Sequence, residues 1–276
     1  MQKNVFSFLG RRIELWTHPE PDHLATIIRG TGRFYEPDVL LKIQEVYLPG
    51  TAIVDAGANI GNHTVFFAAI LGAPVIAVEP YAPNHDLLQV NVAANGLEGL
   101  VRTHRVALGE RDSHGSVRIG DKDNFGTVSI QAGAGEIPIR SLDRIVQDRT
   151  DPPIGLIKID VEGGEAAVLA GAQQTIRRWL PDIVVEADGA DRFLATARQL
   201  HELGYAPRGR YAWTPTYLFS ATDQAARMHR LLNADLAQTN LKSPAPSAPG
   251  ATLWTSSESP PPSAISVPPP DAVLAA

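Results

Sequence analysis

Short apolar runs recur along most of this chain, and they alternate with longer stretches of helical spacing. Ala52-Ile53-Val54, Pro74-Val75-Ile76-Ala77-Val78 and Ile154 to Asp160 read as buried strands, and Pro181 to Glu186 as a further one. The first three of these runs each end on an acid, Asp55, Glu79 and Asp160. Between them lie predicted helices: one opening at Val65-Phe66-Phe67, one from Pro83 through Val92, one from Glu165 to Leu180 and one from Arg192 to Leu203. Strand and helix in alternation predict an α/β fold with a mostly parallel sheet and helices on both faces.

The flanks follow other patterns. Val5 to Leu9 and Arg12 to Trp16 are separated by Gly10-Arg11 and predict a β-hairpin. Val39, Leu40, Ile43 and Val46 share one face of a helix over 36–47, which Pro37 opens and Pro49-Gly50 stops. Ser116 to Ile119, Thr127 to Ile130 and Glu136 to Ile139 are short β segments among glycines, which predicts a small antiparallel insertion whose loops carry substrate contacts. Ser141 is a predicted helix N-cap. Tyr205 to Arg210 and Tyr217-Leu218-Phe219 read as a closing strand pair, with a helix after Gln224. From Lys242 onward Pro, Ser and Ala take over, a composition that cannot bury a core and predicts a disordered tail. The expected organisation is an N-terminal extension over 1–50, a main domain over 51–236 and the tail over 242–276.

The chemistry concentrates at strand ends. Asp55-Ala56-Gly57-Ala58-Asn59-Ile60-Gly61 joins a strand to a helix through a glycine turn, the geometry that presents free backbone N–H groups and a positive helix end to a ligand. A dinucleotide site wants Gly-x-Gly-x-x-Gly. Here one glycine is missing and Asp55 stands in front, which repels a pyrophosphate and suits an ammonium such as that of S-adenosylmethionine (AdoMet). Glu79 lies one βαβ step further on, near the ~20-residue spacing of a ribose-binding acid. Asp160-Val161-Glu162-Gly163-Gly164-Glu165 repeats acid and glycine at a third strand end. An extended chain there points Asp160 and Glu162 the same way. Either the two carboxylates create a base, or Asp160 holds an amine while Glu162 caps the next helix. His63, in the first turn after Gly61, is a second candidate base or a core residue.

Val54 to Gly61, Val78-Glu79-Pro80 and Leu156 to Glu165, with its Lys-Ile-Asp-Val-Glu-Gly core, together resemble the FkbM family of AdoMet-dependent methyltransferases over roughly Tyr35 to Phe219. The resemblance implies a class I, Rossmann-like, seven-stranded sheet. It also implies AdoMet as cofactor and hydroxyls of polyketides, sugars or glycans as acceptors. On that reading Asp55, Gly57, Asn59, Gly61, Glu79 and Asp160 hold the cofactor, with Glu162, His63 and Asp160 as catalytic candidates. Tyr35 and Ala107-Leu108-Gly109 fall at further family-like positions, the latter facing the adenine.

Composition narrows the field. With 24 Lys and Arg against 30 Asp and Glu, the net charge is −6 and no basic stripe stands out, so a nucleic acid partner is not expected. The chain contains no cysteine, which removes thiolate metal sites and Cys nucleophiles. No metal is expected, because the carboxylate motif lacks a His partner. No signal-like or membrane-spanning run is present, so the cytoplasm is the expected address. A nicotinamide-dependent oxidoreductase and a non-catalytic Rossmann-like module are the alternatives; the missing glycine opposes the first and the three strand-end acids oppose the second.

Overall fold

The computed structural model describes residues 1–19, 22–121, 124–147, 152–212 and 214–241. The predicted tail over 242–276 lies outside the described residues. Residues 1–241 form one compact unit.

The chain opens with the antiparallel hairpin β1 (Gln2–Phe8) and β2 (Arg11–Thr17). Helix α1 (His23–Thr31) follows, capped by the Asp22 carboxylate on the Ala25 N–H at 2.9 Å. This helix is not among the expected elements, although Asp22 before Leu24, Ala25, Ile27 and Ile28, with Gly32 after, is a helix signature. Helix α2 (Pro37–Val46) comes next. Phe6, Phe8, Phe34 and Phe66 stack edge to face at 5.2–5.7 Å, fastening this segment to the main body.

The main body begins with β3 (Ala52–Ala56), α3 (Asn62–Ala69), β4 (Val75–Val78), α4 (Ala82–Ala94) and β5 (Val101–His104). Helix α3 is buried on every side, which its unbroken apolar stretch Val65 to Ala69 permits. Two asparagines one turn apart, Asn91 on α4 and Asn95 at its C-cap, pair with the edge of β2 as a neighbouring strand would. Asn91 accepts from the Trp16 N–H at 2.6 Å and donates to its carbonyl at 2.9 Å. Asn95 does the same with Glu14, at 3.0 and 2.7 Å.

A second sheet follows: β6 (Ala107–Leu108), β7 (Ser113–Asp121), β8 (Asn124–Ala132) and β9 (Ile137–Arg140), in the order β6-β9-β7-β8. The β7–β8 and β7–β9 pairs are antiparallel, as expected of the insertion, and the short β6 adds a parallel pair with β9. Helix α5 (Leu142–Val146) starts at Ser141, whose hydroxyl accepts from the Arg144 N–H at 3.2 Å.

Then come β10 (Ile154–Ile159), α6 (Glu165–Ala170), α7 (Gln173–Trp179), β11 (Asp182–Glu186), α8 (Ala190–Glu202), β12 (Tyr205–Tyr211), β13 (Thr216–Ala221) and α9 (Gln224–Leu241). The single helix expected over 165–180 is two. The Asp143 carboxylate accepts from the Gln174 and Thr175 N–H groups and the Thr175 hydroxyl at 2.7–2.9 Å, and so caps a new helix start.

The seven-stranded sheet has the order β12-β13-β11-β10-β3-β4-β5. It is mixed. The five strands from β11 to β5 pair in parallel, while β13 runs antiparallel to both β11 and β12. Apolar residues on its two faces form two core clusters, one under α3 and the N-terminal segment, the other under α6, α7 and α8. Among the described residues, no helix is long and apolar enough to cross a membrane.

Candidate functional site

A cavity of about 400 Å³ opens at the carboxyl ends of β3, β4, β10 and β11. This is where an open α/β sheet leaves a crevice between diverging crossover helices. Gly57, Asn59, Val78, Glu79, Pro80 and Asn84 line one end, with Val106, Ala107 and Leu108 beside them. Tyr35, Glu36, Asp160, Glu162, Glu186, Asp188 and Arg192 line the other. His23 and Leu24 of α1 and Val128 and Ile130 of β8 complete the wall, so the insertion and the N-terminal segment both contribute to the enclosure.

Glu79 is 5% exposed and anchored by the main chain. Its Oε2 accepts from the Asn59 N–H at 2.9 Å and its Oε1 from the Tyr81 N–H at 2.8 Å. Burial pushes its carboxyl up to about 7, against the pull of those two N–H groups. Asn59 reaches this position through a left-handed backbone, φ 51°.

Asp55 does not line the cavity. Its side chain is fully buried behind the wall, where Oδ2 accepts from the Thr64 hydroxyl at 2.6 Å and Oδ1 lies 3.5 Å from the Lys158 ammonium. Oδ1 makes no hydrogen bond, and burial raises this carboxyl. The Lys158 ammonium is closer to Asp160, donating to Oδ2 at 3.0 Å. Burial alone would lift the Asp160 carboxyl, but the Lys158 charge and a hydrogen bond with Glu186 hold it well below the usual carboxylate range. Glu186 moves the opposite way: burial, then the bond to Asp160 and the Asp160 charge, raise it. The pair therefore shares one proton, which stays on Glu186.

Glu162 is brought to the same end, although not by an extended chain. Strand β10 stops at Ile159, and Glu162 and Gly163 take positive φ of 55° and 98°. The turn, not strand alternation, aims Glu162 at the cavity. Partial burial, then Asp160 and Glu165, push it up to about 7, with Arg192 pulling down and solvent at its exposed edge screening these neighbours. It does not cap α6; the Glu165 carboxylate accepts from the Gly163 N–H at 2.8 Å instead.

Gly61 and His63 also sit away from the cavity wall. A Cβ at Gly61 would approach Leu88 Cδ1 to 2.7 Å, so this glycine serves the packing of α3 on α4. The His63 ring is 6% exposed, with Nε2 at 3.6 Å from Glu36. Burial, then the Lys158 charge, push its pKa down to about 3, leaving a neutral imidazole. Gly57 does line the cavity, but its lack of a side chain first serves the protein: a Cβ there would overlap the Asp160 carbonyl oxygen.

Sequence reasoning did not single out Glu36, Asn62, Asn84 or Glu186. Glu186 ends a buried strand as Asp55, Glu79 and Asp160 do, so the same rule applied once more finds it. Glu36 follows Tyr35 in a segment that Asn62 clamps, accepting from the Tyr35 N–H at 3.0 Å and donating to its carbonyl at 3.2 Å. Burial, then Asp160, push Glu36 up to about 7. No spacing rule announces Asn62 or Asn84. Among the described residues, no group of three or more His, Cys, Asp or Glu is arranged to hold a metal ion.

The Methyltransferase FkbM domain profile matches residues 55–207, more than half of the chain. The chain belongs to the FkbM methyltransferase family. The FkbM domain thus takes in β3 through the start of β12, including every strand end at the cavity. No curated protein matches the chain. Among solved structures, it is similar to an FkbM methyltransferase from Methylobacillus flagellatus at 19% identity and TM-score 0.44, covering 62% of this chain and 43% of that one. It therefore spans less than half the length of that relative. A precorrin-6y C5,15-methyltransferase from Geobacter metallireducens is similar at 12% identity and TM-score 0.44, covering 67% of this chain and 87% of that one. The Thermus thermophilus 16S rRNA N2 G1207 methyltransferase, solved with AdoMet and guanosine, is similar at 14% identity and TM-score 0.46, covering 80% and 50%.

Proposed function

We propose that this FkbM domain binds AdoMet in the strand-end cavity and transfers its methyl group to a hydroxyl of a small molecule, sugar or glycan. The observation that carries the reading is Glu79. Both its oxygens are fixed by main-chain N–H groups, and each retains acceptor capacity toward the cavity it lines, which suits the two hydroxyls of a ribose. Ala107 and Leu108 line the same end, where a base would lie. Asp160, ionised at the other end, suits an ammonium.

AdoMet supplies an activated methyl group on a sulfonium. The residues of the chain then bind, align and manage one proton. Glu162 is the proposed base: it lines the cavity and takes the proton of the acceptor hydroxyl as the methyl bond forms. His63 is not given this role, because its ring lies behind the wall and is poorly basic. Asp160 orients the cofactor and does not take the proton. The lining of this end is rich in acids, Glu36, Asp160, Glu162, Glu186 and Asp188, and the negative charge they retain disfavours a phosphodiester chain, which supports the small-molecule class over RNA. In this reading residues 1–50 are an extension that helps enclose a catalytic domain over 51–236.

Incubation with methyl-labelled AdoMet and parallel panels of hydroxylated sugars, polyketide-like alcohols and structured RNA tests the proposal. Label in a sugar or alcohol, stable as an ether, supports it. Label only in RNA or on nitrogen contradicts the acceptor assignment.

A further inference from the structure

Asp55 and Lys158, behind the cavity floor, connect to Asp160 and Glu186, which line the cavity. Lys158 is 4% exposed and does not line the cavity, so it is not placed to meet a ligand. It sits mid-sheet, with β3 and β11 as the neighbours of its strand. A buried ammonium costs several kcal/mol even when paired, and an apolar residue would serve packing alone at lower cost. Its Nζ lies 3.0 Å from Asp160 Oδ2 and 3.5 Å from Asp55 Oδ1.

We propose that Lys158 is a positioning residue for methyl transfer: it keeps the Asp160 carboxylate ionised and aimed into the cavity, where that carboxylate receives the ammonium of the cofactor's amino-acid end. The inference rests on the AdoMet reading of the cavity and adds a residue that touches neither cofactor nor acceptor.

The surroundings of Asp160 explain why a cation is needed there. Asp55 faces it from β3, Glu186 from the end of β11, Glu36 from the start of α2 and Glu162 from the following turn; Tyr35 and His63 are the other titratable neighbours. Asp55, Glu36 and Glu162 oppose a charge on Asp160, while Glu186 supports it through the hydrogen bond they share. His63 is held neutral, so Lys158 is the cation of the group. Without it, the Asp160 and Glu186 carboxyls would lose their main reason to keep a negative charge on Asp160, and the amino-acid end of the cofactor would lose its counter-ion.

Two ligands separate this role from a merely structural one. S-adenosylhomocysteine carries the amino-acid end; 5′-methylthioadenosine lacks it but keeps the nucleoside. Lys158→Met alone would strand the Asp55 carboxylate in the core, so the substitution is made on an Asp55→Asn background and compared with Asp55→Asn. If that protein fails to fold, Lys158→Gln on the same background is read in the same way. Calorimetric titration between about pH 6 and 8 is expected to show at least a ~tenfold loss of S-adenosylhomocysteine affinity with methylthioadenosine affinity kept. The ratio of the two affinities should climb with pH in the variant and stay flat in its parent, because Asp160 now titrates. Lys158→Arg should restore the ratio. Unchanged S-adenosylhomocysteine affinity, or parallel loss of both ligands, overturns the inference and leaves Lys158 a packing residue. A wild-type protein that binds neither nucleoside overturns the AdoMet reading itself, and this inference with it.

Discussion

Gly57 and Asp160 meet backbone to backbone at the mouth of the sheet, so closely that a Cβ on Gly57 would overlap the Asp160 carbonyl oxygen. The two residues follow neighbouring parallel strands, and the Asp160 N–H donates to the Ala56 carbonyl at 3.0 Å. The contact welds the two family motifs into one rigid floor. Gly57 also has φ 80°, which an L side chain rarely adopts. Gly57→Ala therefore combines a strained backbone with an overpacked contact, and the expected destabilisation is ~2–5 kcal/mol. Urea denaturation measures it. A loss below ~1 kcal/mol would mean that the two turns separate at little cost.

Glu162→Gln should leave AdoMet affinity within a few-fold of wild type and lower turnover by ~10²–10⁴, the range for loss of a general base. Wild-type turnover should fall as pH drops through about 7, where the Glu162 carboxyl takes up a proton, and the variant should lack that limb. Steady-state kinetics on an identified acceptor checks both. Asp160→Asn should differ in kind, raising the AdoMet dissociation constant first.

The acids of the cavity also set a pH dependence of stability. Glu36 and Glu79 are pushed up to about 7, and Glu186 is raised as well. An acid whose folded pKa lies above its unfolded value binds more protons in the folded state, so its contribution is greatest below the unfolded value and is lost as pH rises through the folded one. His63, pushed down to about 3, works the other way, but its window closes near the ordinary histidine value of about 6.5. The ligand-free protein should therefore lose melting temperature as pH rises toward about 7, through Glu36 and Glu79, and the decline should continue from about pH 7 to pH 9 through Glu186, which is raised furthest. Glu186→Gln should flatten that decline, as followed by circular dichroism. A decline of equal slope in the variant would show that Glu186 does not hold the proton of the pair.

Much of this was legible in the sequence, for a physical reason. Strands buried on both faces leave unbroken apolar runs, and the acids that end them stand out, so β3, β4, β10 and β11 and their crossover helices could be read directly. What pattern could not supply was depth. Asp55 and Glu79 both end buried strands, yet Glu79 lines the cavity while Asp55 turns away to Thr64 and Lys158. Gly61 and His63 follow the turn, but the buried helix that makes the motif recognisable also carries them into the core. The split of α6 from α7 depends on Asp143, about thirty residues earlier in the chain, and no local window contains that contact. The clamp of Asn62 on Tyr35 and the pairing of Asn91 and Asn95 with β2 are long-range for the same reason.

The central claim is that the strand-end cavity is an AdoMet site with Glu79 on the ribose. Calorimetric titration of AdoMet into wild-type protein and Glu79→Ala at about pH 8, above the value of about 7 to which the Glu79 carboxyl is pushed, tests it most directly. The account predicts binding to wild type at unit stoichiometry and a loss of ~1–3 kcal/mol in the variant, from the charge-assisted hydrogen bonds to the ribose hydroxyls. Equal affinity in a folded Glu79→Ala, or no AdoMet binding by the wild type, would contradict it.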